Sequence, residues 1–247
     1  MIAGLTVGAI ALGIAATLIA GFVRGLAGFG LAILLVPVLG LAIPPGEAVV
    51  VGNWLGFLIS FMHVRKQIGD TERSAWIIAG VALFTIPLGV LALGAVGVPV
   101  ARLLIAIIAL GAFVAVILPK KPHHVPGQKE TIATGVATGL LTGFAGMPGP
   151  PVVPFYLRRD ISPAVARASM MSIFMITQGM GVAIAVVMGA ANWRELWIAL
   201  ALYPLVVVGN WCGAKAFGRI DARAWRVIAG AVLGLAAAGA LLKLMHA

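Results

Sequence analysis

The chain has 247 residues, of which 62% come from the set AVILMFWYC and only 10% are charged. A soluble domain is about 45–50% apolar and about 25% charged, so a water-soluble globule is excluded and an integral membrane protein is implied. Seventeen Lys and Arg against seven Asp and Glu leave a net charge of +10, but these residues cluster between apolar stretches, where they set membrane orientation rather than bind nucleic acid.

A helix crossing the hydrocarbon core needs about 20 apolar residues. Full-length segments are expected at approximately 3–23, 47–64, 75–96, 99–118, 163–189, 194–217 and 223–244. The first lacks a basic n-region and its apolar run is long, so it reads as a retained helix rather than a cleaved signal peptide. Three shorter apolar pieces, at about 26–43, 131–146 and 149–157, are near or below spanning length. Short pieces interrupted by Gly and Pro at matching places in two halves point to discontinuous helices around a transport site.

Loop charge orients these segments. Arg65, Lys66 and Arg73, then Lys120, Lys121 and Lys129, then Lys215, Arg219, Arg223 and Arg226 mark three cytoplasmic connections, and Arg158, Arg159 and Arg167 a fourth. The nearly uncharged turns at 95–99 and 189–194 then face outward. Segment 75–96 exits and 99–118 returns; 163–189 exits, 194–217 returns and 223–244 exits. Both termini fall on the non-cytoplasmic side, and the two halves run in opposite directions.

The halves also look alike. GFVRGLAGFG at 21–30 matches GLLTGFAGMP at 139–148, pairing Gly21 with Gly139, Gly25 with Gly143 and Gly28 with Gly146 at an offset of 118; Pro45 and Pro163 share it. The expected architecture is all-α: a polytopic membrane protein of two inverted repeats of about five helical segments each, with short broken or re-entrant helices carrying the Gly-rich motifs. Residues 1–118 form the first repeat, 119–130 a cytoplasmic linker and 131–247 the second repeat.

Irregular backbone inside a membrane is tolerated only where it is buried in protein or lines a wet cavity. The run Gly146-Met147-Pro148-Gly149-Pro150-Pro151 cannot be continuous helix, so helix ends must occur within the membrane. A helix N-terminus carries free amides and a partial positive charge, which makes it an anion site without a basic side chain. The glycines Gly21/Gly25 and Gly139/Gly143 also have the spacing of close helix packing.

The duplicated glycine-rich segment after the first helix of each half, the downstream Pro37 and Pro154, and a compact, almost wholly helical chain resemble the TauE/SafE family of sulfite and organosulfonate exporters. The resemblance spans essentially the whole chain. It implies movement of sulfite, sulfoacetate or a related small sulfur-containing anion across the bacterial inner membrane.

Candidate substrate-binding residues are therefore Gly25, Gly28 and Gly30 in the first motif, and Gly143, Gly146, Met147, Pro148, Gly149 and Pro150 in the second. Asn53, Ser169, Ser172 and Gln178 lie in the helices that follow and can donate to sulfonate oxygens. The hydroxyls, with Thr177, can equally bond their own backbone.

Arg24 reads as a snorkelling anchor at the inner end of the first helix, and as an attractor of the anion if that helix ends deeper. Trp76, Trp193, Trp197 and Trp225 read as interfacial anchors, Trp54 and Trp211 as packing. All seven carboxylates fall near segment ends, which argues against a cation pump of the carboxylate-relay type. The single cysteine, Cys212, excludes Cys-rich metal centres.

No cofactor or metal is expected. No P-loop, H-E-x-x-H or G-x-S-x-G motif is present, so an enzyme ranks last. An anion channel using the same helix ends and a non-transporting membrane scaffold are the competing readings. Expected partners are the anion and the lipid bilayer; a homo-oligomer is compatible with such a chain.

Overall fold

A computed structural model describes residues 7–64, 69–117, 126–216 and Met245. Nine α-helices fill the described residues: α1 Val7–Ala27, α2 Leu31–Ala42, α3 Pro45–Ser60, α4 Arg73–Ala95, α5 Val98–Ile117, α6 Gln128–Ala145, α7 Gly149–Leu157, α8 Pro163–Val187 and α9 Trp193–Ala216. The expected polytopic, all-helical architecture is the one found. Four of these helices are long and apolar enough to cross a membrane by length and composition: α4, α5, α8 and α9. Segment 223–244, Trp225 and most of the 119–130 linker lie outside the described residues.

The breaks fall where Gly and Pro demand them. After α1 the backbone turns through Gly28 and Gly30, with φ of 83° and 102°, a region that only glycine enters without steric cost. After α6 it turns at Gly146, with φ of 66°, where the amides of Gly146 and Met147 return to the carbonyls of Thr142 and Leu141 as at other glycine-terminated helix ends. The resulting α2 and α7 have 12 and 9 residues, or roughly 18 Å and 13 Å of helix, too short to span.

Helix starts are set by capping chemistry. At α8 the Ser162 hydroxyl accepts from the Val165 amide at 3.3 Å, ahead of Pro163. At α9 the Glu195 carboxylate reaches back to the Asn192 amide at 2.6 Å, half of a capping box. Ser162→Ala should cost about 1 kcal/mol of stability, read as a lower melting temperature with unchanged ligand affinity.

Glycines decide which long helices touch. A Cβ at Gly21 or Gly25 would overlap the backbone of α9 at Val206 or Asn210, and one at Gly209 or Gly213 would overlap α1 at Leu18 or Phe22. Likewise Gly139 and Gly143 of α6 lie against Ala82 and Ile86 of α4, and Gly89 of α4 lies against Leu140. Contact numbers rise together in both pairs, so α1 runs parallel to α9, and α4 parallel to α6. The glycine seam lets backbones approach where lipid offers no hydrophobic driving force between helices. Gly25 and Gly143, read from the sequence as anion-site residues, belong to these seams.

The core follows from this scaffold. Helices α2 and α3 are buried among the others, with Leu34, Leu35, Val36, Val51 and Leu55 at the centre. The first half of α8 closes over α7, where Val152, Val153, Tyr156 and Ile173 pack.

Candidate functional site

The N-terminal turns of α2 and α7 lie against one another. A Cβ at Gly149, the first residue of α7, would lie 3.5 Å from Ile33 Cδ1 in the first turn of α2. Between the two ends is a small cavity of about 20 Å³, lined by Arg24, Gly30, Leu31, Ala32, Met147, Pro148, Gly149, Phe174 and Gln178. It is about the size of one water.

Arg24 corrects the anchor reading. It is 2% exposed and lies one turn before the end of α1, turned into the protein rather than snorkelling to the surface. Its Nη2 donates to Ser60 Oγ at 2.9 Å, and Ser60 in turn donates to the Gly56 carbonyl at 2.7 Å. Its Nε is buried with no partner, as is Gln178 Oε1. Among the described residues no carboxylate pairs with Arg24: Glu47 holds Arg194 and Glu72 holds Arg159. Each helix N-terminus adds a positive potential equivalent to about half a charge. Three positive sources therefore converge on one buried point.

The facing helices supply the walls. On α3, Asn53, Gly56 and Ser60 recur at helical spacing on one face; on α8, Phe174, Gln178, Gly181 and Ala185 do the same. The faces meet antiparallel, Gly181 against Asn53 Nδ2 and Gly56 against the Gln178 amide. Glycine at 56 makes room for Gln178, because a Cβ there would overlap that side chain.

A second, larger cavity of about 160 Å³ opens beyond Asn53, between the start of α3 at Pro44–Gly46, the end of α4 and the start of α5. Asn53 and Gly143 line this vestibule, not the cavity at the helix ends. Asn53 Nδ2 is directed at the Thr142 carbonyl, at 3.4 Å, and its Oδ1 is buried without a partner. The atom left without a partner is therefore the acceptor oxygen.

On the opposite side polar contacts tie the described elements together. Arg167 of α8 donates from Nη2 to the Gly25 carbonyl at 3.2 Å, and its aliphatic stem lies on Gly28. The segment before α4 is clamped by polar contacts: Thr71 Oγ1 to Ser172 Oγ at 2.7 Å, the Glu72 amide to Ser169 Oγ at 2.9 Å, and Arg159 to Glu72 at 2.5 Å. Ser169 and Ser172 are thus engaged in holding this segment, and Thr177 bonds its own backbone at Ile173.

The structure therefore brings Arg24, Gly30, Met147, Pro148, Gly149 and Gln178 together. Gly28 and Gly146 shape the turns, and Pro150 follows in the first turn of α7. Ser60, which the sequence did not single out, joins Arg24; its distance of 36 positions hides it from any local pattern.

The family model described as Sulfite exporter TauE/SafE matches residues 13–240. The chain belongs to that family. No curated protein and no solved structure matches it. The TauE/SafE match covers every residue lining the cavity and the vestibule, and it fits a membrane transporter rather than an enzyme. The tryptophans divide as a membrane protein requires. Trp76, Trp193 and Trp197 are exposed near helix ends; Trp211, expected in packing, is 58% exposed, with the Lys215 ammonium 3.7 Å above its ring.

Proposed function

We propose that this chain is a secondary transporter that moves a small sulfur-containing anion, such as sulfite, sulfoacetate or a related organosulfonate, across the bacterial inner membrane. The anion is held between the N-termini of α2 and α7, beside Arg24. One observation carries this reading: a buried guanidinium which, among the described residues, has an unpartnered Nε and no carboxylate beside it, at the meeting point of two helix N-termini. An oxyanion satisfies all three at once.

The cavity of about 20 Å³ is too small for such an anion. Binding therefore requires the tips of α2 and α7 to part, and alternating access supplies that movement. The vestibule beyond Asn53 lies on the side that loop charge assigns to the outside, and the Arg167 and Glu72–Arg159 contacts lie on the inside.

The two inverted repeats, 1–118 and 131–247, draw support from how contacts exchange between them. The first half's α4 runs along the second half's α6, and the second half's α9 along the first half's α1. Both pairs are parallel, which agrees with the directions that loop charge assigns: α1 and α9 inward, α4 and α6 outward. Gly28 on Arg167 has its counterpart at the same offset (28 + 118 and 167 − 118) in Gly146 on Val49.

The test is a thermal-shift screen of the purified protein with sulfite, thiosulfate, sulfate, sulfoacetate, taurine and acetate, followed by flux in proteoliposomes. A cognate anion at about 100 times its Kd stabilises the folded state by about 2.7 kcal/mol. Stabilisation by sulfur anions with saturable flux is the expected result. No stabilisation by any of them removes the anion site, and unsaturable, current-carrying flux makes the protein a channel.

A further inference from the structure

The end of α6 differs from the end of α1 in one respect. At α1 the chain supplies its own cation, because Arg167 Nη2 donates to the Gly25 carbonyl and its stem lies on Gly28. The corresponding positions at the same offset are Gly143, Gly146 and Val49 (25 + 118, 28 + 118 and 167 − 118). Gly146 does pack on Val49: a Cβ there would lie 3.1 Å from the Val49 carbonyl oxygen. Valine carries no charge, so the Gly143 carbonyl has no counterpart of the arginine.

Among the described residues, no backbone amide bonds to the carbonyls of Gly143, Phe144 or Ala145 at this end, and Pro148 has no N–H to give to Phe144. A helix C-terminus carries a partial negative charge of about half an electron. Beside it stands Asn53, 2% exposed, with Nδ2 committed to the Thr142 carbonyl. Its Oδ1 has no partner and lies 3.5 Å from where a Cβ of Gly146 would be. The vestibule of about 160 Å³ is lined by both Asn53 and Gly143.

An unpartnered acceptor at a helix C-terminus has the opposite polarity to the ends of α2 and α7. We propose that Asn53 Oδ1 and the terminal carbonyls of α6 bind a small monovalent cation, Na⁺, which takes the electrostatic position that the Arg167 guanidinium holds at α1. Oxygen donors suit a hard cation. The absence of a carboxylate from these ligands favours a single charge, and C-terminal ends of broken helices serve as cation ligands in other transporters. The site stands independently of the anion reading; if both hold, linkage makes Na⁺ and the anion strengthen or weaken each other's binding by one common factor.

The experiment melts the purified full-length protein in detergent while NaCl replaces choline chloride at constant ionic strength. Na⁺ should raise the melting temperature saturably, with no rise in choline. Asn53→Asp should shift half-saturation at least tenfold toward lower Na⁺, and Asn53→Leu should abolish the response while its gel-filtration profile is unchanged. Equal melting of the unaltered protein in both salts, or an unchanged Na⁺ response in Asn53→Leu, overturns the site and leaves water as the partner of Oδ1. Should Asn53→Leu not fold, an unchanged half-saturation in Asn53→Asp overturns it alone. Sulfite titrated in choline chloride reads the Arg24 cavity separately, so the two sites fail or stand apart.

Discussion

Arg24→Met should weaken anion binding by about a hundredfold or more and leave the ligand-free protein no less stable. Taking an ion out of water costs several kcal/mol even after relaxation, and replacing even a buried ion pair by apolar side chains of similar volume is often neutral or stabilising by about 1–4 kcal/mol; a guanidinium with no carboxylate partner among the described residues recovers still less of that cost. Here the helix N-termini of α2 and α7 repel the guanidinium further, while its hydrogen-bond acceptor among the described residues, Ser60 Oγ, keeps its own bond to the Gly56 carbonyl after the change. Losing a buried, charge-assisted contact typically costs a ligand about 2–5 kcal/mol, so affinity for the stabilising sulfur anion should fall by about a hundredfold or more.

The two readouts separate the roles. A structural arginine would show as lost folded protein and a lowered melting temperature in the ligand-free state. A binding arginine shows as an unchanged or raised melting temperature that no longer responds to the anion. Intact anion response in a folded Arg24→Met protein would remove Arg24 from the site, and with it the observation on which the transport reading rests.

The second large effect is expected at the glycine seams. Gly25→Ala and Gly143→Ala should each strongly destabilise the protein, whereas Gly111→Ala should not. At the first two positions a Cβ meets partner backbone, the Asn210 carbonyl of α9 and the Ile86 carbonyl of α4, which cannot swing aside as a side chain can. Overpacking a tight contact costs typically about 1–3 kcal/mol, occasionally more, and a rigid backbone neighbour puts these sites at the upper end. Around Gly111, in the interior of α5, nothing lies within 4 Å of a new Cβ. There alanine should stabilise the helix by up to about 1 kcal/mol, the ordinary helix-propensity difference. Melting temperatures of the three variants, with anion titrations on those that fold, test the contrast. Equal and small effects at all three positions would show that the seams are not close-packed.

These glycines also show how a sequence pattern can be right about depth and silent about role. Gly25 and Gly28 sit in one motif three residues apart. The backbone at Gly28 must enter a left-handed conformation to end α1, and Gly25 must be small because α9 passes over it. Both demands select glycine, so composition alone cannot divide them. The proline run after Gly146 was unambiguous, because Pro148 and Pro150 lack the amide that a continuing helix needs, and α6 ends at Ala145. Ser169, Ser172 and Gln178 illustrate the same limit on one helix. All three are buried polar residues of α8, yet the serines bond the segment before α4 while Gln178, further along the helix, reaches the cavity.

Two features lay beyond local reading. Ser60 is 36 positions from Arg24, and nothing in its neighbourhood marks it as the guanidinium's partner. Asn53 stood out as an amide in an apolar helix, but which of its two amide atoms is free depends on the Thr142 carbonyl, which belongs to the other half of the chain.

By itself the sequence determined that the protein lives in a membrane, that it is helical throughout its apolar segments, and where two of those helices must break. Hydropathy, chain-breaking by Pro and the conformational reach of Gly are properties of a few consecutive residues, and they act whatever packs nearby. Only the tertiary structure decided that Arg24 turns inward, that the ends of α2 and α7 face each other across it, and that α1 joins α9 while α4 joins α6. A long side chain near a helix end has two surfaces open to it, and a glycine stripe accepts any helix that fits; packing between distant segments makes the choice, because it alone sets which surface remains available.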